Sequence, residues 1–170
     1  MSKVFGYPEY DEKGEKILTT YDNECKAMMM DIRVYRMKSG ETRTFLREGE
    51  ETAVLLLSGN ITYKWNGNEA AATRKDVFTE GPWCVHGCTG TEITVVANAE
   101  SQILVQCTKN EKDFGAKLYK PEDAPWGYSC VGKFGNVAKR RVNTIFDHDI
   151  SPESNMVLGE VLNDRGNWSG

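Results

Sequence analysis

Val54-Leu55-Leu56-Leu57-Ser58-Gly59-Asn60-Ile61-Thr62-Tyr63-Lys64-Trp65-Asn66-Gly67 decides the fold. The apolar run from Val54 to Leu57 stops at Ser58-Gly59. Ile61, Tyr63 and Trp65 then alternate with Thr62 and Lys64, the period of a strand with one buried face. Asn66-Gly67 follows, the dipeptide favoured in two-residue hairpins because both positions need positive φ. The stretch predicts a strand ended by Ser58-Gly59, then a second strand leading into a tight hairpin.

The pattern extends in both directions. Upstream, Thr42 to Leu46 reads as a short strand after the turn Ser39-Gly40. Before it, Met28, Met30, Ile32 and Val34 share one face, while Asp31, Arg33 and Arg36 interrupt the rest. Downstream, Ile93, Val95 and Ala97 form a strand. Asn98-Ala99-Glu100 turns the chain into Ile103, Val105 and Cys107. Short strands with turn chemistry every eight to twelve residues predict an all-β chain, and the natural architecture is a jelly-roll barrel. The one helical hint is Pro121-Glu122-Asp123-Ala124, a proline-led acidic first turn.

The polar segment 1–24 reads as an N-terminal arm or edge element, and 25–110 as the barrel. Residues 111–170 read as extra connector strands. There Val142, Thr144 and Phe146 alternate with Arg141, Asn143 and Ile145, and Val157, Gly159 and Val161 form a last strand. These are either an outer layer on the same barrel or strands meant for a second one.

One hundred and seventy residues suit one domain with a core that needs no staples. A net charge of −4 argues against nucleic acid and anionic membranes as partners. No stretch is apolar enough to span a bilayer, and Met1-Ser2-Lys3 precedes no apolar signal core. Five cysteines without a framework spacing fit free thiols in a reducing compartment, so cytoplasm is expected.

Several local groupings invite chemistry. Cys84-Val85-His86-Gly87-Cys88 offers two thiols and an imidazole. It lacks a fourth zinc ligand at the usual spacing and is one residue longer than a redox Cys-x-x-Cys. The ordinary reading is a turn with buried thiols. Asp147-His148-Asp149 could chelate an ion, but adjacent strand residues point to opposite faces, which leaves a solvated turn. Met28-Met29-Met30 is packing material for a core or interface. Arg140-Arg141 could hold a carboxylate bidentately or form a charged outer face. Tyr63 and Trp65 could stack a sugar ring at the barrel mouth, against the alternative of core packing. With His86, they are the candidate ligand-binding residues; no catalytic or metal-ligating residue is assigned.

Leu55-Leu56-Leu57-Ser58-Gly59, Phe78-Thr79-Glu80-Gly81-Pro82 and Pro121-Glu122-Asp123 are joined by Gly135-Asn136 with Arg140-Arg141-Val142. The most specific piece is Leu158-Gly159-Glu160-Val161 with Gly166-Asn167-Trp168-Ser169. Together these resemble the 5-deoxy-glucuronate isomerases, two-cupin sugar isomerases of inositol catabolism. The resemblance runs from about Cys25 to the end, and its turn at Cys84 to Cys88 departs from the family's prolines.

In that family a divalent metal sits in the second cupin, held by histidines and a glutamate beyond the point matched by Gly170. The resemblance therefore implies an N-terminal cupin half, without a cofactor in this chain. The cupin ligand positions of the first barrel fall around Phe45 to Glu48, on Thr52 and on Ile93, and none carries the expected residue. The implied parent activity is aldose–ketose isomerisation of a deoxyuronic acid, with little or no turnover expected of this chain alone. Implied partners are a small sugar acid and a second copy joined through the C-terminal strands. Two other readings are a metal-free carbohydrate-binding or sensor cupin, and a small redox or zinc site at Cys84 to Cys88.

Overall fold

The computed structural model describes residues 8–168, so Met1-Ser2-Lys3 and the final Ser169-Gly170 lie outside the described residues. Twelve strands form within them. They are β1 (Glu15–Thr19), β2 (Met30–Met37), β3 (Thr42–Phe45), β4 (Glu50–Trp65), β5 (Asn68–Arg74) and β6 (Trp83–Gly87). The rest are β7 (Ile93–Ala97), β8 (Ser101–Lys109), β9 (Ala116–Tyr119), β10 (Gly127–Ser129), β11 (Arg140–Phe146) and β12 (Leu158–Asn163). The helical hint at Pro121 is realised as a 3-10 turn, Pro121–Asp123.

β4 organises the whole. It is one strand of 16 residues, where the sequence suggested two. Gly59 does not end the strand but bends it, with φ of 113° and a bulge between Leu56 and Ser58. A Cβ at Gly59 would lie 2.2 Å from Ser101 Oγ, so the bend also needs a residue without a side chain. Before the bend, β4 pairs with β8 and β6; after it, with β5 and β7. One sheet runs β1-β2-β8-β4-β6-β9, and β3-β7-β4-β5 forms the other. The hairpin at Asn66-Gly67 is as expected, with both residues at positive φ.

The two sheets face each other across one apolar core. It is built from Tyr35 and Met37 of β2, Val54, Leu56, Ile61 and Tyr63 of β4, Ile93 and Val95 of β7, and Ile103 and Val105 of β8. The all-β jelly roll is confirmed, with a correction to its closure. Hydrogen bonding does not run around a closed circuit, because β1 and β9 edge one sheet and β3 and β5 the other. The inward row of β2 also differs from expectation. Tyr35 and Met37 face the core, with Asp31 and Arg33 continuing their row, so the side broken by charges is the inner one. Met28 and Met29 are exposed rather than core.

The C-terminal strands form a separate sheet, β10-β11-β12, laid on the outer face of the larger one. Ile145, Phe146, Met156 and Leu158 pack there against Ala53, Leu55, Cys84 and Tyr119. The buried face of β11 is Asn143, Ile145 and, past a bulge, Phe146; Val142 and Thr144 lie on the other side.

Two buried ionic ties fasten this layer. Arg74, at the end of β5, is fully buried. Its guanidinium donates to both Glu160 carboxylate oxygens on β12, at 2.8 and 2.7 Å, and to the carbonyls of Leu56 and Glu80. Glu51, on the outward face of β4, accepts from the Asn155 N–H at 2.7 Å, the Ser154 hydroxyl at 2.9 Å and His86 Nε2 at 2.9 Å. Burial alone would raise the Glu51 pKa. The three donors outweigh it and hold the carboxyl below its usual value. An ionised acceptor there makes His86 Nε2 the donor.

Breaking one partner of a buried pair leaves an uncompensated charge, costing about 3–5 kcal/mol. Arg74→Met should therefore lower the urea unfolding free energy by that order. Arg74→Met combined with Glu160→Leu should cost less than the sum of the two single changes, because the orphaned carboxylate is gone. Additive losses in this cycle would remove the ionic tie from the account. Glu51 makes a second, pH-dependent contribution. A carboxyl with a depressed folded pKa stabilises above its unfolded value and loses that stabilisation as pH falls through the folded one. Stability should decline below about pH 4.3, the ordinary glutamate value. The decline should be shallower in Glu51→Gln, as read by denaturant melts across the acid range; identical acid profiles would contradict the assignment.

Candidate functional site

The mouth of the roll lies where β4 begins and β8 ends, beside the start of β2. Strand pairing sets Asp31 of β2, Cys107 of β8 and Thr52 of β4 in one row, directly opposite one another. Side chains two apart share a face, so Glu50 and Lys109 sit one step further out and Val54 and Val105 one step further in. The Thr52 hydroxyl lies 3.5 Å from the Cys107 sulfur. Burial pushes the Cys107 thiol up to about 11.

Charged side chains ring this row. Arg33 grips both oxygens of Asp31, at 2.6 and 2.8 Å, and reaches Glu15 of β1 at 2.6 Å. Arg47 approaches Asp31 from the other side, at 3.8 Å. Lys109 Nζ donates to Glu50 Oε1 at 2.6 Å and lies 5.0 Å from the centre of the Tyr21 ring. Tyr21 belongs to the connection after β1. Thr20 Oγ1 accepts there from the N–H groups of Asp22 and Asn23, and Asn23 Oδ1 accepts from that of Cys25. Burial raises the Tyr21 hydroxyl pKa well above its ordinary value, and the Glu50, Cys107 and Asp31 charges add to this. Neither the Tyr21 hydroxyl nor Glu50 Oε2 has a hydrogen-bond partner among the described residues, and both are buried.

The cupin ligand positions fit a divalent ion poorly. Phe45 and Ile93 are core side chains, Ile93 fully buried. Thr52 turns its hydroxyl to a sulfur, and Arg47 brings a cation to the place. A metal needs about three to six converging oxygen, nitrogen or sulfur donors. Among the described residues, His, Cys, Asp and Glu form no group of three able to hold an ion.

The structure separates Tyr63, Trp65 and His86. Tyr63 is fully buried in the core, its hydroxyl 3.1 Å from the carbonyls of Val54 and Trp83. Trp65 is half-buried at the far end of β4, lining a shallow depression with Lys64, Glu69, Glu92 and Thr94. His86 points to the opposite side of the sheet, stacked on Phe146 at 4.1 Å between ring centres and bonded to Glu51. Only Trp65 meets solvent.

The other groupings resolve as packing or turns. Cys84 to Gly87 lie on β6, so this segment is a strand and not the expected turn. Cys84 packs under the outer sheet, and burial raises its thiol pKa well above the ordinary value. Cys88 contacts Asp113 Oδ1 at 3.2 Å. Residues four apart on a strand stand about 13 Å apart, so the two thiols do not converge. Asp147 Oδ1 caps its own turn, accepting from the N–H groups of Asp149 and Ile150. Arg141 stacks on Trp126 at 3.6 Å and donates to the Val77 and Phe78 carbonyls. Tyr21, Glu50, Glu51 and Arg74 carry no local signal in the sequence, and Glu160 stands out there only as part of the run Leu158-Gly159-Glu160-Val161. Glu50-Glu51 looks like a solvated acidic pair until the strand is known to place one residue in the mouth and the other under the outer sheet.

No helix among the described residues is long and apolar enough to cross a membrane. No curated protein matches the chain. Among solved structures, an IolB-like protein from Salmonella typhimurium LT2 is similar with a TM-score of 0.70, at 17% identity, over 81% of this chain and 52% of that one. This chain thus spans about half the length of that protein. Protein Ylba from E. coli gives a TM-score of 0.54, at 17% identity, over 89% of this chain and 64% of that one. A cupin domain of an XRE-family transcriptional regulator from Enterobacter cloacae gives 0.43, at 12% identity, over 55% and 93%. At 17% identity the first two likenesses are of fold alone. The model of the KduI/IolB family matches residues 6–170, nearly the whole sequence, and the chain belongs to that family.

Proposed function

We propose that this chain is the metal-free cupin unit of a 5-deoxy-glucuronate isomerase-like protein, a cytoplasmic scaffold and not itself the isomerase centre. Aldose–ketose isomerisation needs a polarised carbonyl and a base that moves a proton. The observation that carries the reading is the mouth: the cupin ligand positions, around Phe45 to Glu48, on Thr52 and on Ile93, carry no histidine, and the His, Cys, Asp and Glu among the described residues form no group of three able to hold an ion.

The partner in this reading is a second copy, joined through the C-terminal layer. That layer exposes Tyr128, Val131, Phe134, Val157, Val161 and Trp168. The Phe134 and Trp168 rings lie against each other with their centres 5.7 Å apart and their planes tilted by 46°. β12 is a sheet edge with open hydrogen-bonding groups. Open edges and exposed apolar groups of this kind are covered in most proteins, and two-fold pairing is the commonest way.

Two measurements test the proposal. Elemental analysis of the purified chain should find no stoichiometric zinc, iron or manganese, and 5-deoxy-glucuronate should not be isomerised above background. One metal per chain with metal-dependent turnover would refute the scaffold reading. Sedimentation should show a dimer, and Phe134→Asp with Val161→Lys should shift it to monomer without loss of fold. A wild-type chain that stays monomeric at high concentration would refute the docking face.

A further inference from the structure

A cleft of about 970 Å³ opens where β2 ends and β8 begins, at the opposite end of those strands from the mouth. That volume lies in the range of small-molecule sites. One wall is the arm before β1, and it is fastened in place. The Arg36 N–H donates to the Gly14 carbonyl at 2.8 Å, and the Arg43 guanidinium donates to that of Lys13. Gln102 Nε2 donates to the Tyr10 hydroxyl at 2.9 Å. Gly14 has φ of 74°, and a Cβ there would lie 2.6 Å from the Arg36 carbonyl oxygen, so this close approach needs a glycine. Asp11 Oδ1 accepts from the N–H groups of Lys13 and Glu15 and fixes the bend of the arm.

The floor is a cross-strand row on the larger sheet. Pairing sets Arg36 of β2 opposite Gln102 of β8, and Gln102 opposite Ser58 of β4, so the three side chains share one face. All three line the cleft. The Arg36 guanidinium lies 3.9 Å from the centre of the Tyr10 ring. A guanidinium stacked on an aromatic face keeps its edge of N–H donors open to an acceptor in its own plane. Arg36 enters none of the ion pairs among the described residues.

By count the lining charges balance, Lys13, Arg36, Lys38 and Arg43 against Asp11, Glu12, Glu41 and Glu100. By position they do not. Asp11 is committed to its own turn, and Glu41 to Arg43 and the Lys38 N–H. The guanidinium without a carboxylate is that of Arg36, in a cleft it shares with Lys13 and Lys38. An oxyanion pairs bidentately with such a fork and accepts from a hydroxyl as well. Glu12 and Glu100 limit the charge: a group with one or two negative charges gains from Arg36, and a longer polyanion is repelled.

We propose that this cleft binds the oxyanion group of a small molecule, a carboxylate or a phosphate, with Arg36 as its bidentate anchor and Ser58 as a second donor. The site is apart from the C-terminal strands, and no metal, turnover or oligomer readout enters its test, so its failure is distinct from failure of the scaffold reading.

The test is an NMR titration of the full chain with malonate and, separately, with inorganic phosphate, each against sodium chloride at the same ionic strength. The proposal expects saturable shifts at the amides of Asp11, Gly14, Arg36, Ser58 and Gln102 with at least one of the two anions. Saturation by malonate alone identifies a carboxylate ligand, and by phosphate alone a phosphate one. Arg36→Gln keeps the backbone N–H that holds Gly14 and should raise the dissociation constant roughly tenfold or more, the worth of hydrogen bonds to a charged group. Ser58→Ala touches none of the arm's fastenings and should raise it roughly two- to tenfold; it decides the matter if Arg36→Gln loosens the arm. Shifts no different from those in sodium chloride, or saturable binding that a folded Arg36→Gln leaves unchanged, would overturn the site.

Discussion

The Arg74 guanidinium is buried completely, and the pairing that keeps it there joins every layer of the molecule. Its side chain leaves the end of β5 and ties together the Leu56 carbonyl of β4, the Glu80 carbonyl before β6 and the Glu160 carboxylate of β12. A charge removed from water must be met by an opposite charge and by acceptors for its remaining protons. Arg74 has both, but only while the outer sheet is in place. The tie therefore imposes a condition: the roll can be complete in this form only with β12 laid over it.

The same dependence recurs at Glu51, one register step from the mouth. β4 presents Glu50 inward and Glu51 outward, so one strand feeds two environments. Inward, Glu50 meets Lys109 and the unpaired Tyr21 hydroxyl. Outward, Glu51 meets His86, Ser154 and Asn155 beneath the second sheet. The outer layer is thus held at both ends by ionised groups, with Phe146 and Ile145 filling the apolar space between. The segment after β11, ordered in this way, leaves Val161 exposed and brings Trp168 beside Phe134.

Much of the roll could be read from the amino-acid pattern, because its signals are local. Asn66-Gly67 makes its hairpin from backbone preferences of two residues. Ile61 and Tyr63 turn inward because a strand alternates. Gly59 misled for a physical reason: a glycine after an apolar run signals a turn, but positive φ inside a paired strand bends it without stopping the pairing. The Asp31 and Arg33 row of β2 misled for another. Charges on a core-facing row are tolerated when they neutralise each other at a mouth, and only the partner strand shows that. The ties at Arg74 and Glu51 were not legible, since their partners stand 86 and 103 residues away. His86 read as a ligand-binding candidate because nothing near it in sequence announces Phe146 and Glu51 as its walls.

With both ties buried, the outer sheet and the roll should form one cooperative unit. Hydrogen exchange of the wild-type chain tests this most directly, amide by amide. If the buried ties lock the layers, the paired amides of β11 and β12 should exchange with the same opening free energy as those of β4 and β8, through global unfolding. Opening of β11 and β12 at a much lower free energy, with the roll still protected, would show that the outer sheet lifts independently. The buried Arg74 pair would then not be the constraint that holds the molecule together.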